Sequence, residues 1–123
     1  MTARPLIALV DDDQSVLESL PDLLKEFGFE VRSFASAEAF LLSNCVDLLS
    51  CLILDIAMPV MTGPELQAEL TRLGKRVPIV FITAHGDHTV RPRMIAQGAV
   101  ECLFKPFSEE ALLEAINAAL RLK

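Results

Sequence analysis

Five side chains carry the chemistry that this sequence can support: Asp11, Asp12, Asp55, Thr83 and Lys105. They stand at the ends of apolar runs. Leu6-Ile7-Ala8-Leu9-Val10 leads into Asp11-Asp12-Asp13, Leu52-Ile53-Leu54 into Asp55, Val77-Pro78-Ile79-Val80-Phe81-Ile82 into Thr83, and Ala99 to Phe104 into Lys105. Brought to one edge, the carboxylates of Asp11, Asp12 and Asp55 would repel one another and raise the pKa of at least one of them unless a cation intervened. Oxygen-only ligands with no nearby His or Cys favour a hard ion, Mg²⁺ or Mn²⁺. With such an ion on one side and the Lys105 ammonium and Thr83 hydroxyl on the other, a phosphoryl group would be surrounded by positive charge and donors. That is most of what phosphoryl transfer requires of a protein. Asp55 would be the nucleophile, forming an acyl phosphate.

The elements that must position these residues are legible in outline. Val16, Leu17, Leu20, Leu23, Leu24 and Phe27 recur at helical spacing, with Asp13 placed to cap the helix and Gly28 to stop it. Pro21 lies within that pattern and predicts a kink. Phe29 to Phe34 alternates as an edge strand would, and Ser36 caps a short helix carrying Ala37, Phe40 and Leu41. Ser43 to Ser50 reads as a loop. Thr62 and Glu65 form a capping box for a helix whose buried stripe is Leu66, Leu70 and Leu73. Val90, Met94 and Ile95 suggest a fourth helix ending at Gly98, with Pro92 either in its first turn or distorting it. Ser108 opens a last helix with Leu112, Leu113, Ile116 and Leu120 facing inward. Strands and helices alternate five times, which predicts an α/β fold: a doubly wound five-stranded parallel sheet with helices on both faces, forming one domain over residues 1–123. In such sheets the ligand site lies at the carboxyl ends of the strands.

Composition sets the boundaries of function. A 52% hydrophobic chain of 123 residues with five glycines can bury a core of its own. A formal charge of −6 with scattered basic residues disfavours direct nucleic-acid binding. Neither a membrane span nor a secretory signal is apparent, so a cytoplasmic protein without membrane contact is expected. Cys45, Cys51 and Cys102 lack any Cys-x-x-Cys spacing and read as buried thiols. Asp13 is read as a helix cap, His85 and His88 as solvent-facing loop residues, and Met58 and Met61 as apolar cover beside the acidic pocket.

The strand-end motifs resemble the receiver domains of bacterial two-component response regulators over essentially the whole chain. They are Val10-Asp11-Asp12, Leu54-Asp55-Ile56-Ala57-Met58-Pro59 with Gly63 soon after, Ile82-Thr83-Ala84 and Lys105-Pro106-Phe107. Thr83-Ala84-His85-Gly86-Asp87 and Gly98-Ala99-Val100 are similar to the nitrogen-fixation-regulator (FixJ-like) branch. The resemblance implies a flavodoxin-like, CheY-like fold in which Asp55 accepts a phosphoryl group from the histidine of a sensor kinase or phosphotransfer protein. It implies that Asp12 and Asp55 bind Mg²⁺ (or Mn²⁺) directly, that Asp11 helps through water, and that the backbone carbonyl of Ala57 completes the protein ligands. Thr83 would follow the phosphoryl group inward while Lys105 bonds it.

Output in this family is a shift between two conformations around the fourth helix, fifth strand and fifth helix, acting on a downstream effector or output domain, with transcription as one target and a phosphorylation-dependent homodimer as one form. Cys102 stands where receivers commonly carry Tyr or Phe, three residues before the lysine. Together with Pro92 this directs the expected output to backbone movement of the loop after Thr83 and the fourth helix. Ala57 and His85 would flank the approach of hydrolytic water and tune the lifetime of the phosphorylated state. The expected chemistry is self-catalysed phosphotransfer and autodephosphorylation, without a separate substrate. Two alternatives stand beside it: a Mg²⁺-dependent phosphohydrolase working through an aspartyl phosphate, which generally has a second acid where this chain has Ala57, and a pseudo-receiver that binds partners without phosphorylation. A stand-alone regulator and the front of a longer protein both accord with the sequence.

Overall fold

In the computed structural model, which describes residues 4–122, the apolar runs become parallel strands and the periodic segments become the helices between them. The order is β1 (Leu6–Val10), α1 (Gln14–Glu26), β2 (Glu30–Phe34), α2 (Ala37–Ser43), a 3₁₀ turn at Val46–Leu48, β3 (Cys51–Asp55), α3 (Gly63–Arg72), β4 (Ile79–Thr83), α4 (Val90–Ala96), β5 (Glu101–Phe104) and α5 (Glu109–Arg121). The sheet runs β2-β1-β3-β4-β5, every pair parallel. From β1 the chain winds outward to β2, then crosses back to β3 and proceeds the other way. The connections leaving β1 and β3 therefore diverge, and a crevice opens at their carboxyl ends.

Side-chain alternation divides the core into two layers. Ala8, Val10, Leu52, Leu54 and Phe81 pack with Phe40 of α2, Leu66 and Leu70 of α3, and Met94 of α4. On the other face Ile7, Leu9, Ile53, Val80 and Ile82 pack with Leu20 and Leu24 of α1 and Leu112 and Ile116 of α5. With helices on both faces, β3 and β4 are buried at all five positions, which explains their unbroken apolar runs. β2, at the edge, keeps an exposed side.

Local capping chemistry sets the helix starts. Asp13, Ser36, Thr62 and Ser108 each accept a backbone N–H of their own helix, and the Glu65 carboxylate accepts the Thr62 backbone N–H in return at 2.9 Å. α1 ends where Gly28, at φ 97°, lets Phe29 donate back to the Leu24 carbonyl. α1 runs through Pro21 as one helix, and α4 begins at Val90 with Pro92 in its first turn.

Some expectations move. The segment Ser43 to Ser50 is partly ordered as the 3₁₀ turn. Leu73, expected inside, is the C-cap of α3 and is about half exposed. The inward face of α5 is Leu112, Ala115, Ile116 and Ala119, with Leu113 and Leu120 only half-buried. Small alanines let the helix approach the sheet closely, and their weak hydrophobicity hides that role from a leucine-based periodicity. Among the described residues no helix is long and apolar enough to cross a membrane.

Candidate functional site

At the crevice the strand register determines what meets. Val10 pairs with Leu54, Asp55 with Ile82 and Thr83 with Phe104, so the residues that end each strand arrive at one level. Asp11 and Thr83 are completely buried, Asp55 nearly so, and Asp12 is exposed. Carboxylate oxygens of Asp11, Asp12 and Asp55 lie within 4.8 Å of one another. Such an all-oxygen set, with one member open to solvent, fits a small hard divalent cation that keeps part of its hydration shell.

Lys105 closes the fourth side. Its Nζ donates to Asp11 Oδ2 at 2.7 Å and lies 3.8 Å from Asp55 Oδ1. The remaining Asp11 oxygen accepts the Asp13 backbone N–H at 2.9 Å. Burial pushes the Asp55 carboxyl up to about 7, and the neighbouring Asp11 charge adds to the rise while Lys105 opposes it. For Lys105, burial alone would depress the ammonium, but the hydrogen bond it gives to Asp11 and the charges of Asp11, Asp55 and Asp13 outweigh it and hold the pKa above the usual lysine value. One carboxyl is thus under electrostatic tension that a second cation would relieve.

The backbone around Asp55 is tightly seated. Gly63, the first residue of α3, donates to the Ile56 carbonyl at 2.9 Å, and a Cβ there would drive into the Asp55 carbonyl oxygen and lie 3.0 Å from Phe81 Cε1. Only glycine permits that approach. Between Asp55 and α3 the loop carries exposed Ala57, buried Met58 and then Val60, whose φ of 70° is a strained value for a β-branched residue. Met61 N–H donates across Val60 to the Pro59 carbonyl at 2.8 Å.

Thr83 is held differently. Its hydroxyl donates to the His85 carbonyl at 2.7 Å and accepts the His85 N–H at 3.1 Å, so its hydrogen bonds stay within its own loop. His85 and His88 are exposed, as expected, and Asp87 Oδ1 accepts the Thr89 N–H at 2.8 Å ahead of α4. All three cysteines are free and buried; burial raises the Cys51 thiol to about 12 and also raises that of Cys102. Two features escaped the reading of the sequence. Arg91 of α4 grips Glu101 of β5 through two bonds of 2.6 and 3.0 Å. Phe104, read only as the end of a strand, is 38% exposed and lies against Gly86. Its signal was available: a large ring directly before Lys105, on the same face of β5 as Cys102.

Comparison with known proteins points one way. A family model described as "Response regulator receiver domain" matches residues 7–117. The response regulator protein TmoT of Ectopseudomonas mendocina is 47% identical over 119 residues, covering 95% of this chain and 53% of that protein. The chain spans about half the length of the curated relatives it matches. Among solved structures, response regulator StyR superposes with a TM-score of 0.89 at 49% identity, covering 98% of this chain and 61% of that one. FixJ-N superposes with a TM-score of 0.85 at 36% identity, covering 98% and 96%.

Proposed function

The chain belongs to the response regulator receiver domain family, and from that premise we propose that Asp55 is its phosphoacceptor, in a unit spanning residues 1–123. The observation that carries this reading is the position of Asp55 at the exit of β3, its oxygens grouped with those of Asp11 and Asp12 and its Oδ1 3.8 Å from the Lys105 ammonium.

A deprotonated Asp55 oxygen attacks the phosphorus of a phosphohistidine on a sensor kinase or phosphotransfer protein. The P–N bond breaks, the imidazole leaves with its electron pair, and an aspartyl phosphate forms. Asp11, Asp12 and Asp55 would hold Mg²⁺ or Mn²⁺, with the Ala57 backbone carbonyl as a further ligand. The ion supplies charge neutralisation for the carboxylates and the phosphoryl oxygens. Lys105 exchanges part of its contact with Asp11 for the phosphoryl group, and the Thr83 hydroxyl turns from His85 to donate to it. Because Ala57 offers no acid or base two residues after Asp55, the chemistry is self-catalysed transfer onto Asp55 followed by autodephosphorylation, without a separate substrate. Output passes to an effector or output domain through the α4–β5–α5 face, with transcription as the target class, a phosphorylation-dependent homodimer as one form and the cytoplasm as the place.

Incubation of the wild type and Asp55→Asn with Mg²⁺ and acetyl phosphate, followed by intact mass, tests this. One phosphoryl adduct on the wild type and none on the variant is expected. No adduct on the wild type, or an equal one on both, overturns the assignment.

A further inference from the structure

We propose that Phe104 is a positioning residue for Thr83: its ring, seated on Gly86, holds the loop that keeps the Thr83 hydroxyl on His85, and it leaves that seat when Asp55 is phosphorylated. This rests on the proposed role of Asp55.

Phe104 and Thr83 are register partners on adjacent strands, and the Lys105 N–H donates to the Thr83 carbonyl at 2.8 Å, so the ring stands level with the threonine. A Cβ on Gly86 would lie 2.7 Å from Phe104 Cε1, 3.4 Å from its Cδ1 and 3.3 Å from Val90 Cγ2. The glycine is therefore lodged between the ring and the first residue of α4. The segment's other polar restraints lie at the surface, where the Asp87 carboxylate accepts the Thr89 N–H and Arg91 pairs with Glu101. Thr89 gives α4 no side-chain cap, and Met94 is the only buried residue of that helix. Ring position follows from strand alternation. Cys102, one pleat further into the sheet, is buried and small, whereas Phe104 on the same face reaches the sheet edge and lies over the loop.

A threonine hydroxyl has one proton, and here it is given to the His85 carbonyl. Donation to a phosphoryl group on Asp55 breaks that bond and shifts residues 84 to 86, which withdraws Gly86 from the ring. Since Phe104 is already 38% exposed, it can turn to solvent without opening the core. The ring contact therefore favours the loop position seen here, and it opposes phosphorylation by the amount the contact contributes.

The chain has no Trp and no Tyr, so Phe104→Trp introduces a single emission reporter. Titration of that variant with Mg²⁺ and beryllium fluoride, a phosphoryl mimic, should shift its indole emission. The shift should vanish when Asp55→Asn is added, and Leu42→Trp, at an exposed position on α2, should show none. In label-free calorimetry Phe104→Ala should bind beryllium fluoride about fivefold more tightly than the wild type, with Phe104→Tyr restoring wild-type affinity. The proposal is overturned if the wild type takes up a phosphoryl group from acetyl phosphate by intact mass while the emission of Phe104→Trp stays constant, or if Phe104→Ala binds with unchanged affinity. A wild type that takes up no phosphoryl group overturns the underlying assignment of Asp55 instead, and this proposal with it.

Discussion

The β3–α3 and β4–α4 units enter the same sheet edge through strands buried at every position, and they leave it in opposite ways. After β3 the chain is fixed: Gly63 sits against the Asp55 carbonyl, a reciprocal capping box starts α3, and Leu66 and Leu70 anchor it. After β4 the loop is exposed from Ala84 to Thr89, and α4 has seven residues with Met94 as its one buried side chain, helped by half-buried Val90 and the exposed Arg91–Glu101 pair. The difference suits the two tasks proposed for Asp55 and Thr83. A nucleophile must stay within a fraction of an ångström of its neighbours, so it belongs on the stiff unit. A hydroxyl that changes partners needs a backbone that can follow, so it belongs on the soft one.

Alanine at the two equivalent glycines makes the largest test of that contrast. Gly63→Ala forces a methyl into backbone and should destabilise by about 3 kcal/mol, as overpacked cores do. Gly86→Ala meets the outer atoms of the partly exposed Phe104 ring and the Val90 Cγ2, side-chain ends that can give way, and should lose less than about 1 kcal/mol. Urea unfolding of both variants decides it, and equal losses would break the comparison.

Asp55→Asn should raise the stability of the metal-free protein near pH 7 by about 2 kcal/mol, read as an increase in Tm; solvent access to the crevice holds the gain below what the whole pKa shift would give. The sign follows from linkage. The folded pKa of Asp55 is raised from 3.8 to about 7, so its stabilising contribution is full below the unfolded value and is lost as pH rises through about 7. Thermal melts without metal should therefore show the wild type weakening over that window and Asp55→Asn weakening less. Stiffness at β3 would then be shown to persist against electrostatic tension.

Val60→Gly should stabilise by about 1 kcal/mol, since relief of positive-φ strain exceeds the added freedom of the unfolded glycine and the exposed side chain packs on little. A loss on denaturant titration would place the strain elsewhere. Smallest is Arg91→Ala. The ion pair with Glu101 is solvent-exposed on the arginine side, and its removal should change stability by less than about 1 kcal/mol. A larger loss would make α4 a firmly held helix and weaken the contrast.

Much of this was legible in the sequence because the signals are local. Apolar runs closed by Asp11, Asp55, Thr83 and Lys105 mark buried parallel strands, and Asp13, Ser36, Thr62 and Ser108 each satisfy free N–H groups within a turn of themselves. The same locality was incomplete at α5, where Leu113 and Leu120, half-buried against the core, were named and the buried Ala115 and Ala119 were not. Hydrophobic periodicity registers size, whereas burial there depends on how close the helix can come to the sheet.

By itself, then, the sequence determined the alternation of strands and helices, the winding that sends the acidic residues to one edge, and the oxygen-rich character of the site. Tertiary structure alone decided that Lys105 leans on Asp11 across 94 residues of chain, that the Thr83 hydroxyl is given to His85, and that the Phe104 ring rests on Gly86. Residue types name the groups able to interact. Each donor has more than one acceptor within reach of its strand end, and differences of about an ångström in packed backbone choose between them.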